Sequence, residues 1–486
     1  MKKNQAKILF AASECAPYAK VGGLADVVAS LPKALIDYGQ NIGIVLPRYE
    51  GINLKKYQFK LISVFNFKKE KVKVFQGKLE KTNIPVFLLE NDKFLSRGEI
   101  YPSKNFENGF FSIKRFLFFS QLVLELVFRG IFEPDIIHCH DWQTAFIAPL
   151  LKIKFRDFLK KSPNLAKKTK IKTILTIHNL PYQGEWNPEA VFNFLGFKGD
   201  ELDTFQIRDK SGDFNILQQG ILNADIITTV SPNYAKEILS KEFGEELYED
   251  LRRRKKDLYG ILNGIDTELY NPKTDKNLKV NYSAKDFQKK NINKLELQRI
   301  LGLPENLEAP LFGFIGRLTG QKGIDLIIDS LPELIKLNCQ IVILGAGEKD
   351  YEQKIIRILK IAPQNISINI KFDSVLAQKI YGGADFILIP SRFEPCGLVQ
   401  MIAQRYGTVP IARATGGIVD SVEDKVSGFL FKEFKKDEFL KAIKEGLSFY
   451  FQKRKWLKIV KNAMKKDFSW KKSAKKYLKI YHKLLN

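Results

Sequence analysis

Arg317 and Lys322 stand five positions apart in the run Phe314-Ile315-Gly316-Arg317-Leu318-Thr319-Gly320-Gln321-Lys322-Gly323, between an apolar strand and a helical pattern starting at Ile324. A guanidinium fork and an ammonium point charge converging on a helix N-terminus grip a diphosphate; a solvated basic loop is the plain alternative. Ile389-Pro390-Ser391-Arg392-Phe393-Glu394-Pro395-Cys396-Gly397-Leu398 has the same strand–loop–helix order. Pro395, lacking an N–H, suits the first turn of a helix, which would seat Glu394 at the helix start where the dipole favours its charge. Glu394 is then either a functional carboxylate or a simple N-terminal charge partner. Free N–H groups at Cys396, Gly397 and Leu398 would face the same ligand, and Thr415-Gly416-Gly417 repeats a glycine turn after the next strand.

The first half of the chain offers a matching loop, Lys20-Val21-Gly22-Gly23-Leu24-Ala25-Asp26, between the apolar run Ile8–Ala12 and a helical run from Val27 to Leu35. Paired glycines at such a turn let backbone N–H groups approach an anion, with Lys20 beside it. The spacing is neither G-x-G-x-x-G nor a P-loop, and a structural turn with a solvated lysine would look the same. His138-Cys139-His140-Asp141-Trp142 ends one strand and Thr176-Ile177-His178-Asn179-Leu180 another. His138, His140, Asp141 and His178 could hold a metal, but their spacing matches no zinc pattern. The chain has no Asp-x-Asp pair, the commonest arrangement for a metal-bound sugar nucleotide.

These loops need strands to carry them. Candidates are Lys7–Ala12, Ile42–Leu46, Val72–Phe75, Pro85–Leu89, Ile136–Cys139, Thr173–Ile177 and Ile226–Val230, then Leu311–Ile315, Gln340–Leu344, Ile366–Lys371, Phe386–Ile389 and Val409–Ala412. Continuous apolar strands alternating with helices predict parallel sheets covered on both faces, with ligands at the strand carboxyl ends. A charged run, Arg252 to Asp257, marks a break and predicts two doubly wound α/β domains with a cleft between them. After Phe468, Trp470, Ala474, Tyr477, Leu478, Tyr481, Leu484 and Leu485 share one helical face. That helix is expected to pack back across the domains, a membrane-surface role being the alternative.

Bulk properties agree with an ordinary globular chain. Its 486 residues exceed one core, and 45% hydrophobic content excludes a disordered one. The net charge of +25 could mean an anionic partner, but lysines are spread throughout. Only Lys152–Lys172 and the last twenty or so residues are dense, and neither carries a nucleic-acid motif. The scattered Cys15, Cys139, Cys339 and Cys396 argue against a disulfide scaffold and fit a reducing compartment. Ile8–Ala12 is too short for a signal segment and Phe116–Phe128 for a membrane span. A soluble cytoplasmic protein is expected.

Together, K-V-G-G-L-A-D at Lys20–Asp26, H-D-W at His140–Trp142, H-N-L-x-Y-Q-G at His178–Gly184, N-G-I-D at Asn263–Asp266, G-R-L-T-x-Q-K-G at Gly316–Gly323, S-R-F-E-P-C-G-L at Ser391–Leu398 and T-G-G at Thr415–Gly417 resemble the bacterial glycogen and plant starch synthases. These are retaining glycosyltransferases of family five. The resemblance implies a GT-B fold with domains over 1–257 and 258–466, and a helix over 467–486 returning to the first. It implies glucose transfer from ADP-glucose, or UDP-glucose, to the non-reducing end of an α-1,4-glucan, with no cofactor, metal, nucleic acid or membrane.

By the same resemblance, Lys20, Gly22, Gly23 and Asp26 belong to the donor loop, while Arg317 and Lys322 hold the diphosphate. Glu394 lies by the reacting glucose, and His178 by its hydroxyls or anomeric carbon. Asp141 and Asn263 are further sugar contacts, and Trp142 is a glucan platform. Cys396, Gly397, Leu398, Thr415, Gly416 and Gly417 line the donor. Ile402 stands where many retaining GT-B enzymes carry a second glutamate, with Gln400 two residues earlier; Val21 and Ala414 depart mildly from the common pattern. A transferase acting on a small acceptor such as sucrose or a lipid-linked sugar, and a silent carbohydrate- or nucleic-acid-binding protein, are the competing expectations.

Overall fold

The computed structural model describes residues 5–101, 106–153, 171–197, 205, 212–359 and 364–486. The chain forms two compact units, one of Met1–Ile261 with Trp470–Asn486 and one of Leu262–Ser469, each with its own large sheet. The lysine-dense run Lys152–Lys172 falls mainly in 154–170, outside the described residues.

In the first unit, β1 (Lys7–Ala11), β2 (Asn41–Pro47), β3 (Lys60–Phe67), β4 (Glu70–Lys78), β5 (Pro85–Glu90), β6 (Ile136–His140), β7 (Lys172–Ile177), β10 (Ile226–Thr229) and β11 (Leu258–Gly260) form one sheet. Their order is β11-β10-β7-β6-β1-β2-β5-β4-β3. Two short strands, β8 (Glu185–Trp186) and β9 (Phe214–Asn215), pair separately. Ile8, Leu9, Phe10 and Ala11 of β1 are all buried, as in a strand covered on both faces.

The expectation of parallel strands fails at one edge: β4 runs antiparallel to both β3 and β5. A two-residue turn at Lys68 and Lys69, both at positive φ (48° and 66°), joins β3 to β4, with Phe67 opposite Glu70. Positive φ at both central residues gives the twist that a tight hairpin needs.

The second unit holds six parallel strands: β12 (Leu311–Ile315), β13 (Gln340–Leu344), β14 (Ile366–Asn369), β15 (Phe386–Ile389), β16 (Val409–Arg413) and β17 (Phe429–Phe431). Their order, β14-β13-β12-β15-β16-β17, reverses direction at β12 and β15. Loops leaving two strands on either side of such a switch diverge and open a crevice at the carboxyl edge.

The last helix, Trp470–Leu485, packs on the helix Gly23–Ile36 of the first unit. It buries Trp470, Ala474, Tyr477, Ile480 and Tyr481 in that unit's core. Ile480, outside the sequence stripe, joins that core, while Leu485, in the stripe, is 38% exposed. No helix among the described residues is long and apolar enough to cross a membrane.

Candidate functional site

The switch in the second unit carries the densest chemistry. After β12 the chain makes one 3-10 turn, Gly320–Lys322, and enters the helix Ile324–Lys336 through Gly323. Gly323 sits at φ 71°, and a Cβ there would lie 2.0 Å from the Pro390 carbonyl oxygen. Glycine therefore lets this loop touch the one after β15. Lys322 Nζ lies 2.5 Å from Glu394 Oε2, which also accepts from Ser391 Oγ at 3.1 Å. Glu394 is buried and Oε1 has no partner among the described residues. Arg317 is exposed and donates to Gln321 Oε1 at 3.3 Å. The loop is braced by Arg392, which bonds the Gly320 carbonyl and Asp325 and lies over the Phe434 ring.

Glu394 is not at a helix start. The following helix is Val399–Arg405, with Leu398 as its N-cap, so Pro395 lies outside it and Glu394 is balanced by Lys322 and Ser391 rather than by a helix dipole. Gly397 adopts φ 72°, the left-handed region where glycine is favoured. Gln400 Nε2 ties the turn down through the Cys396 and Gly397 carbonyls at 2.8 and 2.9 Å and Ser421 Oγ at 3.0 Å.

Thr415-Gly416-Gly417 supports this loop from behind. A Cβ on Gly416 would fall 2.0 Å from the Glu394 carbonyl oxygen, and one on Gly417 2.4 Å from that of Cys396. Gly417 N–H donates to the Glu394 carbonyl at 3.1 Å. The glycines let two backbones lie in contact and fix where Glu394 stands. Burial pushes the Cys396 thiol up to about 12, against the lowering pull of the Asn263 backbone N–H, so it is no ready nucleophile. Asn263 Oδ1, Thr415 Oγ1 and Gln400 Oε1 are buried with no protein partner among the described residues.

In the first unit the glycine loop holds an anion already, and it is the protein's own. Glu14 Oε2 accepts from the Val21 and Gly22 N–H groups at 2.6 and 2.8 Å, while Tyr101 Oη donates to Glu14 Oε1 at 2.7 Å. Arg115, buried in the helix Phe106–Phe128, bonds the carbonyls of Phe94, Arg97, Glu99 and Ile100 and so shapes the segment that presents Tyr101. Lys20 Nζ pairs with Asp26 Oδ1 at 2.6 Å, both side chains well exposed. Such a pair is worth about 0–1 kcal/mol, so Lys20 is easily released to another anion. Gly22 has φ −134°, which any residue adopts. The helix behind it begins at Gly23, four residues before the run expected from Val27.

Along the same carboxyl edge, β6 and β7 bring the histidines together. Asp141 takes φ 55°, unusual for a side-chain-bearing residue, and its Oδ1 accepts from the His178 N–H at 2.6 Å. Burial raises the Asp141 carboxyl to about 7, against the lowering pull of the His178 and Asn179 N–H groups. His140 Nδ1 lies 3.0 Å from His178 Nε2. His138 is held by Tyr481 Oη at 3.0 Å and Thr176 Oγ1 at 2.6 Å. Burial keeps His138 and His178 neutral, each lowered to about 3, and His140 is lowered as well. Four ring nitrogens of this cluster thus face hydroxyls or each other, and His140 Nε2 is buried with no protein partner among the described residues. Among the described residues no group of His, Cys, Asp and Glu is arranged to hold a metal ion. Trp142 lies edge-on to Phe116, and a Cβ on Gly184 would meet its ring at 2.2 Å, which leaves the indole half-buried.

The structure therefore gathers Arg317, Lys322, Glu394, Asn263, Cys396, Gly397, Leu398, Thr415, Gly416 and Gly417 in the second unit, and Lys20, Gly22, Gly23, Asp26, Asp141, Trp142 and His178 in the first. Sequence reasoning passed over Glu14, Tyr101, Ser391 as a Glu394 partner, and Phe372. Phe372 follows β14 and is 87% exposed. Its signal was an aromatic just past a strand's carboxyl end, where a ring has no core to join.

A family model described as the starch synthase catalytic domain matches residues 7–253, and one described as glycosyl transferases group 1 matches 299–465. The chain is 41% identical to a glycogen synthase of Thermotoga maritima, covering 99% of each chain. It is 43% identical to one of Lactobacillus acidophilus, covering 99% of this chain and all of the other. Among solved structures, the catalytic domain of starch synthase IV from Arabidopsis thaliana bound to ADP and acarbose superposes with a TM-score of 0.87 at 36% identity, covering 99% and 100%. A sucrose-phosphate synthase from Thermosynechococcus elongatus, at 17% identity and TM-score 0.62 over 99% of each chain, shares the fold alone.

Proposed function

We propose that this chain, which belongs to the glycogen and starch synthases of the GT-B fold, takes its glucose from ADP-glucose and places it with retention on the 4-OH at the non-reducing end of an α-1,4-glucan. Building glycogen or starch by glucosyl transfer follows from that membership. The donor, the stereochemistry, independence from metals, a cytoplasmic setting and the residue roles are the proposal.

The observation that carries it is the meeting of Lys322 with Glu394 at the β12–β15 switch, beside an exposed Arg317. As the bond from the anomeric carbon to the diphosphate breaks, its electron pair passes to the phosphate oxygen. Arg317 and Lys322 stabilise that growing charge, which is where fixed cations help a transition state most. The acceptor hydroxyl attacks from the same face and its proton passes to the departing phosphate, so no enzymic nucleophile is needed. Glu394 Oε1 accepts from the reacting glucose while Oε2 stays with Lys322 and Ser391. Lys20 leaves Asp26 for a donor phosphate, and the Phe372 ring offers its face to the base. The starch synthase relative bound to ADP supports an adenine nucleotide.

Labelled ADP-glucose, glycogen and a chelator, with UDP-glucose in parallel, test this. Labelled α-1,4-linked chain ends, formed fastest from ADP-glucose, are expected. No transfer from either donor overturns the proposal.

A further inference from the structure

We infer that His140 is a positioning residue that locks His178 into one tautomer, with its proton on Nδ1, so that His178 meets the sugar only as a hydrogen-bond donor. His140 ends β6, fully buried between the rings of Phe10 (centroids 5.4 Å apart, 24° between planes) and His138 (4.4 Å, 22°). Its Nδ1 lies 3.0 Å from His178 Nε2, and its Nε2 is buried with no protein partner among the described residues. Its main chain is pinned as well, the backbone N–H donating to Thr144 Oγ1 at 2.6 Å.

With both rings neutral, one proton lies between Nδ1 of His140 and Nε2 of His178. If His178 supplied it, His140 would carry its own proton on Nε2, a buried N–H with no protein acceptor. Buried unpaired N–H groups are rarer and more costly than a bare acceptor lone pair. The proton therefore belongs to His140 Nδ1 and is donated to His178 Nε2. His178 then keeps its hydrogen on Nδ1, which has no partner among the described residues, in a side chain that is only partly buried.

The consequence for the proposed reaction, on which this role of His178 rests, is that His178 cannot serve as a general base. Its Nε2 lone pair is occupied and its Nδ1 offers only N–H. It orients a glucose oxygen by donation, and His140 makes that the only choice.

The chain has four histidines, so ring-15N-labelled full-length protein gives a tractable spectrum that distinguishes protonated from bare ring nitrogens. His178 is expected to show a protonated Nδ1 and a bare Nε2. In His140→Phe, which keeps the stack and removes the donor, the 15N signal of His178 Nε2 moves to that of a bare nitrogen without a hydrogen bond, the ring loses its fixed setting, and kcat falls about tenfold, the scale of one neutral hydrogen bond, with donor KM within about twofold. His140→Asn, whose amide N–H stands near the lost Nδ1, restores the hydrogen-bonded Nε2 signal and most of the rate. A wild-type His178 protonated on Nε2, or an unchanged His178 Nε2 signal in His140→Phe, overturns the inference. A fully active His178→Ala would overturn the functional role given to His178 instead, and would leave the tautomer result standing.

Discussion

The two oxygens of Glu394 have separate tasks. Oε2 is shared by Lys322 and Ser391, which fixes the carboxylate's angle, and in the proposed reaction Oε1 is left for a sugar hydroxyl. In the proposed reaction Lys322 serves both Glu394 and the incoming phosphate, so a lysine, with three donors, suits the place better than a single-donor group. At the other end of the proposed donor, Phe372 needs only its exposed face. Base stacking on an aromatic ring is worth about 1–3 kcal/mol. Phe372→Ala should therefore raise the donor KM roughly tenfold to a hundredfold with kcat nearly kept, measured by initial rates against ADP-glucose. An unchanged KM removes Phe372 from the site.

At the scale of elements, β6 and β7 bring three neutral imidazoles together, His138 and His140 buried and stacked with His178 beside them, and that has a pH signature. Burial holds His138 and His178 down to about 3 from an ordinary 6.5. Between those values the unfolded chain binds more protons than the folded one. Stability is therefore intact above pH 6.5 and is lost as the pH falls towards 3. Asp141 works the other way, because its pKa is raised from 3.8 to about 7 and the folded chain binds the extra proton in that window. With His140 lowered too, the histidines outweigh the single carboxyl. Calorimetry from pH 7 to pH 4 should show the first unit's melting temperature dropping. His138→Phe should make the drop shallower and Asp141→Asn should make it steeper. The same slope in wild type and His138→Phe contradicts this account of the cluster.

Which elements the sequence revealed follows from how many residues each buries. The twelve runs read as strands are strands because each is long and apolar enough to show its period. β3 was missed because it is an edge strand whose Leu61, Ile62 and Val64 face solvent, turned by lysines rather than by Asn-Gly. β8, β9, β11 and β17 span two or three residues and carry no period at all. The helix start at Val399 was misplaced because a proline looks the same at a helix N-terminus and in the loop before one.

Across the whole molecule, motif residues hundreds of positions apart are placed by strands that alternate along the chain yet lie side by side in each sheet. The second unit's loops could be paired from sequence because each follows its strand directly. The Glu14–glycine-loop contact, the Tyr481–His138 bond and the Gly416–Glu394 contact were not legible, since each depends on how distant backbones approach. The last helix shows this most plainly. It belongs to the first unit although the chain reaches it through the second. A chain ending at Ser469 loses Trp470, Ala474, Tyr477, Ile480 and Tyr481 from that core. One large buried aromatic costs about 3–5 kcal/mol when cut to alanine, and the stability of a whole domain is about 5–15 kcal/mol. The truncated chain should lose the first unit's melting transition in calorimetry and keep the second's, while full retention of both would show the helix to be dispensable.

The central claim is that the Glu394 loop drives glucosyl transfer from ADP-glucose to a glucan. It is tested most directly by measuring label incorporation into glycogen by wild type and Glu394→Ala side by side, with ADP affinity determined for both by calorimetry. The account predicts brisk incorporation by wild type and a fall of about a hundredfold to a thousandfold or more in kcat for the variant, with ADP binding changed less than about tenfold. A variant that transfers glucose at the wild-type rate while binding ADP normally would contradict it.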